Sequence, residues 1–268
     1  MKSLWKKIIP EKNESVPVCS IINFCTHDYR FLQSCLREAA VFSSQVLVAY
    51  SDHLFDGMPE NLPLLRRAMA EHPEVEFVLL AYQSEEKQNP QYWVTMLRWN
   101  ALQKVRTEIK YVLFLDADEI AEGKRFHSFL QNFPVSRFTI LKLSNYYYFR
   151  ESRFRSRVQE DSATLVKKDL LTREMLVDYE DRNKAWLVLP EPKQRMVAGM
   201  DQKPLIHHFS WVRTREEMLR KVSSWGHAGE RNWVEMVENE FSKPFSGIDF
   251  VHGYEYDEVE APFPEIGL

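Results

Sequence analysis

The first half of the chain alternates short apolar segments with longer segments of helical periodicity. The apolar segments are rich in β-branched and aromatic residues and occupy residues 18–24, 45–50, 75–82 and 111–115. Apolar strands that alternate with helices predict a mainly parallel sheet covered by helices on both faces. The sequence therefore predicts an α/β fold of the Rossmann-like kind.

This fold predicts where a ligand binds. Ligands of open parallel sheets lie at the carboxyl ends of the strands, so the polar residues that follow the predicted strands are the candidates. Those residues are Thr26, His27, Asp52, Asp116 and Asp118.

The second half of the chain follows a different pattern. Residues 139–150, 163–167 and 205–211 have strand character, and no clear helix separates the first two. Thr214 and Glu217 form a capping box, which predicts the start of a helix. We expect a mixed region there rather than a continuation of the parallel sheet.

The length and composition favour one domain. The chain has 268 residues, of which 44% are hydrophobic, and no linker or low-complexity segment divides it. We expect a single domain over residues 1–268, with halves at about 18–120 and 139–252. The last segment, 253–268, is rich in acidic residues and prolines and is predicted to be a surface tail.

Charge and cysteine content limit the partners and the compartment. The net charge is only −4, so the composition gives no reason to expect a nucleic-acid partner. Cys19, Cys25 and Cys35 are odd in number and lack metal-ligand spacing, as expected for reduced thiols of a cytoplasmic protein. Residues 1–10 carry three lysines around a short apolar segment and predict either a frayed tail or a peripheral membrane contact.

The strongest chemical signal is the segment LFLDADEI at residues 113–120. Asp116 and Asp118 follow the most apolar predicted strand, and residues two apart in an extended segment point the same way. Mg²⁺ and Mn²⁺ prefer carboxylate oxygens as ligands and are often shared with substrate phosphates. The pair therefore predicts a Mg²⁺ or Mn²⁺ site that bridges to a diphosphate.

Several motifs in the first half together resemble the GT-A glycosyltransferases of the family-2 type. They are CTHDYRFLQSCL at residues 25–36, VAYSDHLFDG at 48–57, LRWNAL at 97–102 and the Asp-x-Asp pair. The resemblance implies a GT-A fold in which the first half binds the nucleotide sugar. It also implies an inverting transfer from a nucleoside-diphosphate sugar, with a UDP-sugar favoured, to a glycan, lipid or protein acceptor.

The same resemblance implies individual roles. Thr26 and His27 belong to the turn after the first strand, and Asp52 matches the acid that binds the uracil or ribose. Arg98 lies on the helix before the Asp-x-Asp strand and is expected to bind the donor phosphates. Asp116 is expected to contact both the ribose and the metal.

A late histidine completes the metal site in many GT-A enzymes. The segment HHFSW at residues 207–211 supplies His207 and His208 as candidates. Neighbouring residues on a strand point to opposite faces, so only one of the two is expected to bind the metal. His208 is slightly preferred, and the alternative is that both histidines are structural.

An inverting transferase needs a general base for the acceptor hydroxyl. The family supplies it from a Glu-Asp element, which Glu180–Asp181 matches, so Asp181 is the predicted base. Glu160–Asp161 is a competing pair and Asp201 is a further option.

The segment from Trp225 to Gly229 is predicted to be either a lid over the diphosphate or a helix end.

Two other functions remain open at this stage. A sugar nucleotidyltransferase also uses carboxylate-bound metal beside a Rossmann-like sheet, but it usually carries a Gly-rich loop after the first strand, and residues 24–31 contain no glycine. A non-catalytic nucleotide- or carbohydrate-binding module needs neither a base nor a complete metal site.

Overall fold

The structure is a computed structural model that describes residues 16–81, 90–177 and 182–267. The predicted base Asp181 and the N-terminal segment 1–10 lie outside the described residues. No helix within the described ranges is both long and apolar enough to cross a membrane.

The described residues form twelve strands and eight α-helices. The strands are β1 (Val18–Asn23), β2 (Gln45–Ser51), β3 (Glu76–Leu80), β4 (Tyr111–Asp116), β5 (Glu119–Ala121), β6 (Ile140–Leu143), β7 (Asn145–Phe149), β8 (Glu151–Glu160), β9 (Thr164–Lys167), β10 (Lys193–Val197), β11 (Ile206–Trp211) and β12 (Tyr256–Glu258). The helices are α1 (Tyr29–Ala40), α2 (Leu62–Glu71), α3 (Pro90–Leu102), α4 (Gly123–Asn132), α5 (Arg173–Leu176), α6 (Arg182–Val188), α7 (Arg215–Ser224) and α8 (Trp233–Phe241). Short 3₁₀ turns cover Thr26–Asp28, Val135–Arg137, Lys168–Leu170 and Pro264–Ile266.

The larger sheet has seven strands in the order β10-β6-β9-β4-β1-β2-β3. Strands β3, β2, β1 and β4 run parallel to one another, whereas β9 is antiparallel to both β4 and β6. The prediction of an α/β fold with a mainly parallel central sheet flanked by helices is confirmed.

The apolar character of the strands follows from burial on both faces. Alternate residues such as Ile22 and Leu113 pack in one core with Phe31 of α1. Their neighbours, such as Ile21, pack in a second core with Leu97 of α3. Since each strand faces helices on two sides, nearly every residue of it is apolar, as parallel sheets require.

The prediction of one strand over 139–150 is wrong, because this segment forms two strands in different sheets. β6 belongs to the larger sheet, whereas β7 belongs to a five-stranded sheet of order β12-β8-β7-β11-β5. The chain changes sheet at Ser144, whose backbone N–H donates to the carbonyl of Val197 at 2.9 Å. The run of apolar residues continues through the break since both strands are buried.

The small sheet extends further than the sequence predicts. β8 pairs with β7 after a turn at Arg150, which has a φ of 61°. The predicted tail also contributes to the fold, because it forms β12 and buries Phe263 and Ile266 in the main core. An aromatic cluster that includes Tyr147, Trp211 and Trp233 packs α7 and α8 against this sheet.

Candidate active site

A cleft of about 270 Å³ opens at the carboxyl ends of β1 and β4. Both sheets and three helices contribute to it. Its polar lining comes from Asn23, His27, Asp28, Gln91, Arg98, Asp116, Asp118, Arg182, His208, Ser210, Lys221, Ser224 and His227.

The backbone fixes the two predicted aspartates at this edge. Asp116 is the last residue of β4 and lies opposite Asn23, the last residue of β1. The N–H of Ala117 donates to the carbonyl of Asn23 at 3.0 Å, and the N–H of Phe209 donates to the carbonyl of Asp118 at 2.8 Å. The Asp-x-Asp turn therefore joins the large sheet to the small sheet.

Two arginines bind the carboxylate of Asp116. Arg98 Nη2 lies 2.6 Å from Oδ1, and Arg182 Nη2 lies 3.3 Å from Oδ2. Arg182 also donates to Glu119 at 2.9 Å, and the Glu119 carboxylate accepts from the Asp116 N–H. Burial raises the pKa of Asp116 and outweighs the opposite effect of Arg98 and Arg182.

Two other cations bind the carboxylate of Asp118, which is 3% exposed. Lys221 Nζ lies 2.8 Å and Arg213 Nη2 lies 3.0 Å from the same oxygen, Oδ2. Arg213 is buried and also binds Asp28. Burial acts to raise the pKa of Asp118, but Lys221, Arg213 and His208 together lower it below its usual value.

The two candidate histidines have different surroundings. His208 lines the cleft, and its Nε2 lies 3.8 Å from Asp118 Oδ1. His207 is buried on the other face of β11, where it is 3.0 Å from Glu122 Oε1 and 2.8 Å from the hydroxyl of Tyr148. Burial lowers the pKa of His207 despite the neighbouring Glu122. The structure thus brings His208, and not His207, to the Asp-x-Asp turn.

Of the remaining predicted residues, one lines the cleft and two lie outside its lining. His27 lines the cleft, with its Nε2 3.0 Å from the Ser224 hydroxyl, and burial lowers its pKa. Thr26 instead binds the carboxylate of Glu60 through its hydroxyl and its N–H. Asp52 is exposed outside the cleft, to which its loop contributes Leu54 and Phe55.

The predicted lid segment reaches the cleft. α7 ends at Ser224, and the following Trp225, Gly226 and His227 are part of the lining. The Trp225 ring packs against Trp211 and Trp233 at centroid distances of 5.6 and 5.1 Å. The segment is therefore both a helix end and a wall of the cleft, and its motion stays a prediction.

The sequence analysis did not identify several residues of this site. Among them are Asn23, Arg182 and Lys221 of the cleft lining, and the buried Arg213 that binds Asp118. Within the described part of the chain, Asn23 Oδ1 and Trp225 Nε1 are buried without a hydrogen-bond partner. Unsatisfied buried polar atoms are costly, and both residues belong to the cleft lining.

The donor set does not match the predicted divalent metal site. In the described ranges, no group of three or more His, Cys, Asp or Glu side chains is arranged to hold a metal ion. Asp116 and Asp118 are each bound by two side-chain cations. Lys221 and Arg213 already occupy Asp118 Oδ2, and Arg98 occupies Asp116 Oδ1, so a divalent ion at either of these two oxygens would have to displace a side-chain cation.

Comparison with known proteins finds similar folds among solved structures. No protein-family model and no curated protein matches the sequence. Among solved structures, the mannosyltransferase PcManGT from Pyrobaculum calidifontis, in complex with GDP-Man and Mn²⁺, is 13% identical with a TM-score of 0.50. The match covers 83% of this chain and 65% of the mannosyltransferase, so the chain spans less than two thirds of that protein. The two proteins share a fold.

Two further structures are more distant. The 4-diphosphocytidyl-2C-methyl-D-erythritol synthase from Anaerococcus prevotii is 9% identical with a TM-score of 0.45, and the match covers 81% of this chain and all of that one. A glycosyltransferase involved in glycosylation of the major capsid of PBCV-1 is also 9% identical, with a TM-score of 0.39 and coverage of 75% and 96%.

Proposed function

We propose that this protein is a glycosyltransferase that takes a sugar from a nucleoside-diphosphate donor, with a UDP-sugar favoured. The observation that carries the proposal is the cleft at the ends of β1 and β4, where Asp116 and Asp118 meet cations from three helices and a strand end. The fold shared with a GDP-Man-bound mannosyltransferase supports it.

In this proposal, different cleft residues bind different parts of the donor. Asn23 Oδ1 and the Trp225 indole N–H offer one acceptor and one donor to polar groups of the nucleotide. Lys221, Arg182 and His208 face the position where the leaving diphosphate gains charge. Fixed charges that point at a developing anion lower the barrier because they need no reorganisation during the reaction.

Asp181 remains our proposed general base. The next residue, Arg182, lines the cleft. Two of the competing acids are held in ion pairs: Asp161 by Lys142 and Arg195 at 3.1 and 2.7 Å, and Asp201 by Arg125 at 2.6 Å. Glu160 stays a competitor, because its Oε2 lies 4.0 Å from His208 Nδ1. Turnover that survives Asp181→Asn but not Glu160→Gln would move the role to Glu160.

The proposal is tested by incubating the protein with UDP-, GDP- and CDP-sugars and measuring the released nucleoside diphosphate, which forms slowly even when water replaces the acceptor. One nucleotide class should give release above a no-enzyme control. Asp118→Asn should reduce release because it removes the carboxylate that positions Lys221, whereas Asp169→Asn, at an 83% exposed side chain, should not. Thermal melting checks that both variants fold.

Other outcomes would contradict the proposal. Formation of a nucleotide sugar and pyrophosphate from a nucleoside triphosphate and a sugar phosphate would show a nucleotidyltransferase. Tight nucleotide-sugar binding without any turnover, with a range of acceptors present, would show a binding module.

A further inference from the structure

We propose that Lys221, held by Asp118 and Ser210, binds the donor diphosphate and supplies the positive charge for which the sequence predicts a metal ion. The inference rests on the proposed function, since it assigns the charge partner of the same donor. It starts from the observation that side-chain cations already bind the two predicted metal ligands.

The position of Lys221 is built in by the fold. Its Nζ lies 2.8 Å from Asp118 Oδ2 and 3.1 and 3.2 Å from the hydroxyl and carbonyl oxygens of Ser210. Lys221 is on α7, whose first turn is fixed by the capping box of Thr214 and Glu217. The side chain is only 12% exposed and belongs to the cleft lining.

Among the described residues, the charged side chains around the Asp-x-Asp turn form one network. In it, four carboxylates are linked directly to four side-chain cations: Asp28, Asp116, Asp118 and Glu119 to Arg98, Arg182, Arg213 and Lys221. Paired carboxylates attract a divalent ion when their charge is uncompensated, because the ion then relieves their repulsion. Here the side-chain cations remove that driving force.

Lys221 is better placed than Arg213 to change partners. The Arg213 side chain is fully buried and is held by Asp28, Asp118 and two backbone carbonyls. Lys221 lies above it at the cleft surface and uses two of its three donors on Ser210. A phosphate oxygen can replace a neutral Ser210 acceptor, and the new hydrogen bond is stronger because both its donor and its acceptor are charged.

The experiment is isothermal titration of UDP, GDP and CDP into the protein, in EDTA and in Mn²⁺. The nucleotide that binds should do so with the same affinity in both buffers. Lys221→Met should weaken it about tenfold or more in EDTA, the effect expected for loss of one charge-assisted hydrogen bond. Lys142→Met is the matched control, since Lys142 is a buried lysine that pairs with Asp161 and does not belong to the cleft lining. The Lys142→Met protein should bind the nucleotide with the affinity of the wild type.

Each other outcome has a definite meaning. Binding by the wild type that EDTA abolishes and Mn²⁺ restores would overturn the inference and leave the proposed function intact, and this arm needs no variant to fold. Wild-type affinity in a folded Lys221→Met protein would also overturn it. Absence of binding for all three nucleotides would instead refute the proposed function.

Discussion

Buried charges in this protein are matched to partners that lie far apart in the sequence. Lys142, which is 7% exposed, pairs with Asp161, which is 9% exposed, at 3.1 Å, and Arg195 binds the same carboxylate. Burial acts to raise the pKa of Asp161, but Arg195 and Lys142 lower it below its usual value. The folded protein therefore binds a proton at Asp161 less readily than the unfolded chain.

We expect Asp161→Asn to cost about 3 kcal/mol of unfolding free energy near neutral pH, because it leaves Lys142 buried and without its charge partner. A depressed folded-state pKa gives stability that is present above the unfolded pKa and is lost as the pH falls. The difference between wild type and variant should therefore shrink as the pH falls from about 6 to about 3. Urea unfolding at several pH values measures it.

The control for this ion pair is Asp169→Asn, which changes an exposed carboxylate. It should leave stability unchanged across the same pH range. Turnover provides a second readout, since a structural Asp161 predicts a normal rate per folded molecule. A pH-independent stability difference, or lost turnover with full stability, would show that the account of Asp161 is wrong.

The sequence predicted some site residues because their signal is local. Asp116 and Asp118 follow a strongly apolar strand, and parallel strands present their ends to ligands. Lys221 and Arg213 gave no such signal, because their contacts to Asp118 span 103 and 95 residues of sequence. Only the fold brings these side chains together. No local pattern therefore indicated that side-chain cations bind the predicted metal pair.

Helix α4 approaches α1 closely at one glycine. A Cβ added at Gly123 would lie 2.6 Å from the Glu38 carbonyl oxygen and 2.9 Å from the Val41 Cβ. The Gly123 N–H also donates to the Glu38 side chain at 2.9 Å, which fixes the start of α4 against the end of α1. No side chain larger than hydrogen fits there without separating the helices.

Gly123→Ala should destabilise the protein by about 1–3 kcal/mol, the usual cost of overpacking a tight contact. Gly229→Ala is the matched control, because a Cβ there meets nothing within 4 Å. Urea or thermal unfolding compares the two variants. Equal stability of the two would mean that the α1–α4 contact yields without cost.

The sequence pattern predicted the element type correctly where the residues of an element are buried in a regular pattern. β1 and β4 are largely apolar because helices cover both faces, and the pattern identified them. β8 was missed because one side is exposed and its residues, ESRFRSRVQE, are largely charged. The break between β6 and β7 was missed because a strand that changes sheets without leaving the core keeps its apolar pattern.

The two sheets together create the site. The large sheet supplies the ends of β1 and β4, and the small sheet with α7 supplies His208, Lys221 and the aromatic wall at Trp225. The fold of the first half of the chain was predictable, since its alternating pattern determines a parallel sheet. The second half was not, because its mixed pairing depends on contacts such as β11 with β5 that no local pattern specifies.

The most direct test of this account is a crystal structure of the protein with the nucleoside diphosphate that binds it. We predict that the nucleotide occupies the cleft, with a phosphate oxygen about 3 Å from Lys221 Nζ, within hydrogen-bond distance. A bound nucleotide elsewhere, such as in the hollow beside Gln45 and His72 at the opposite edge of the sheet, would contradict the account.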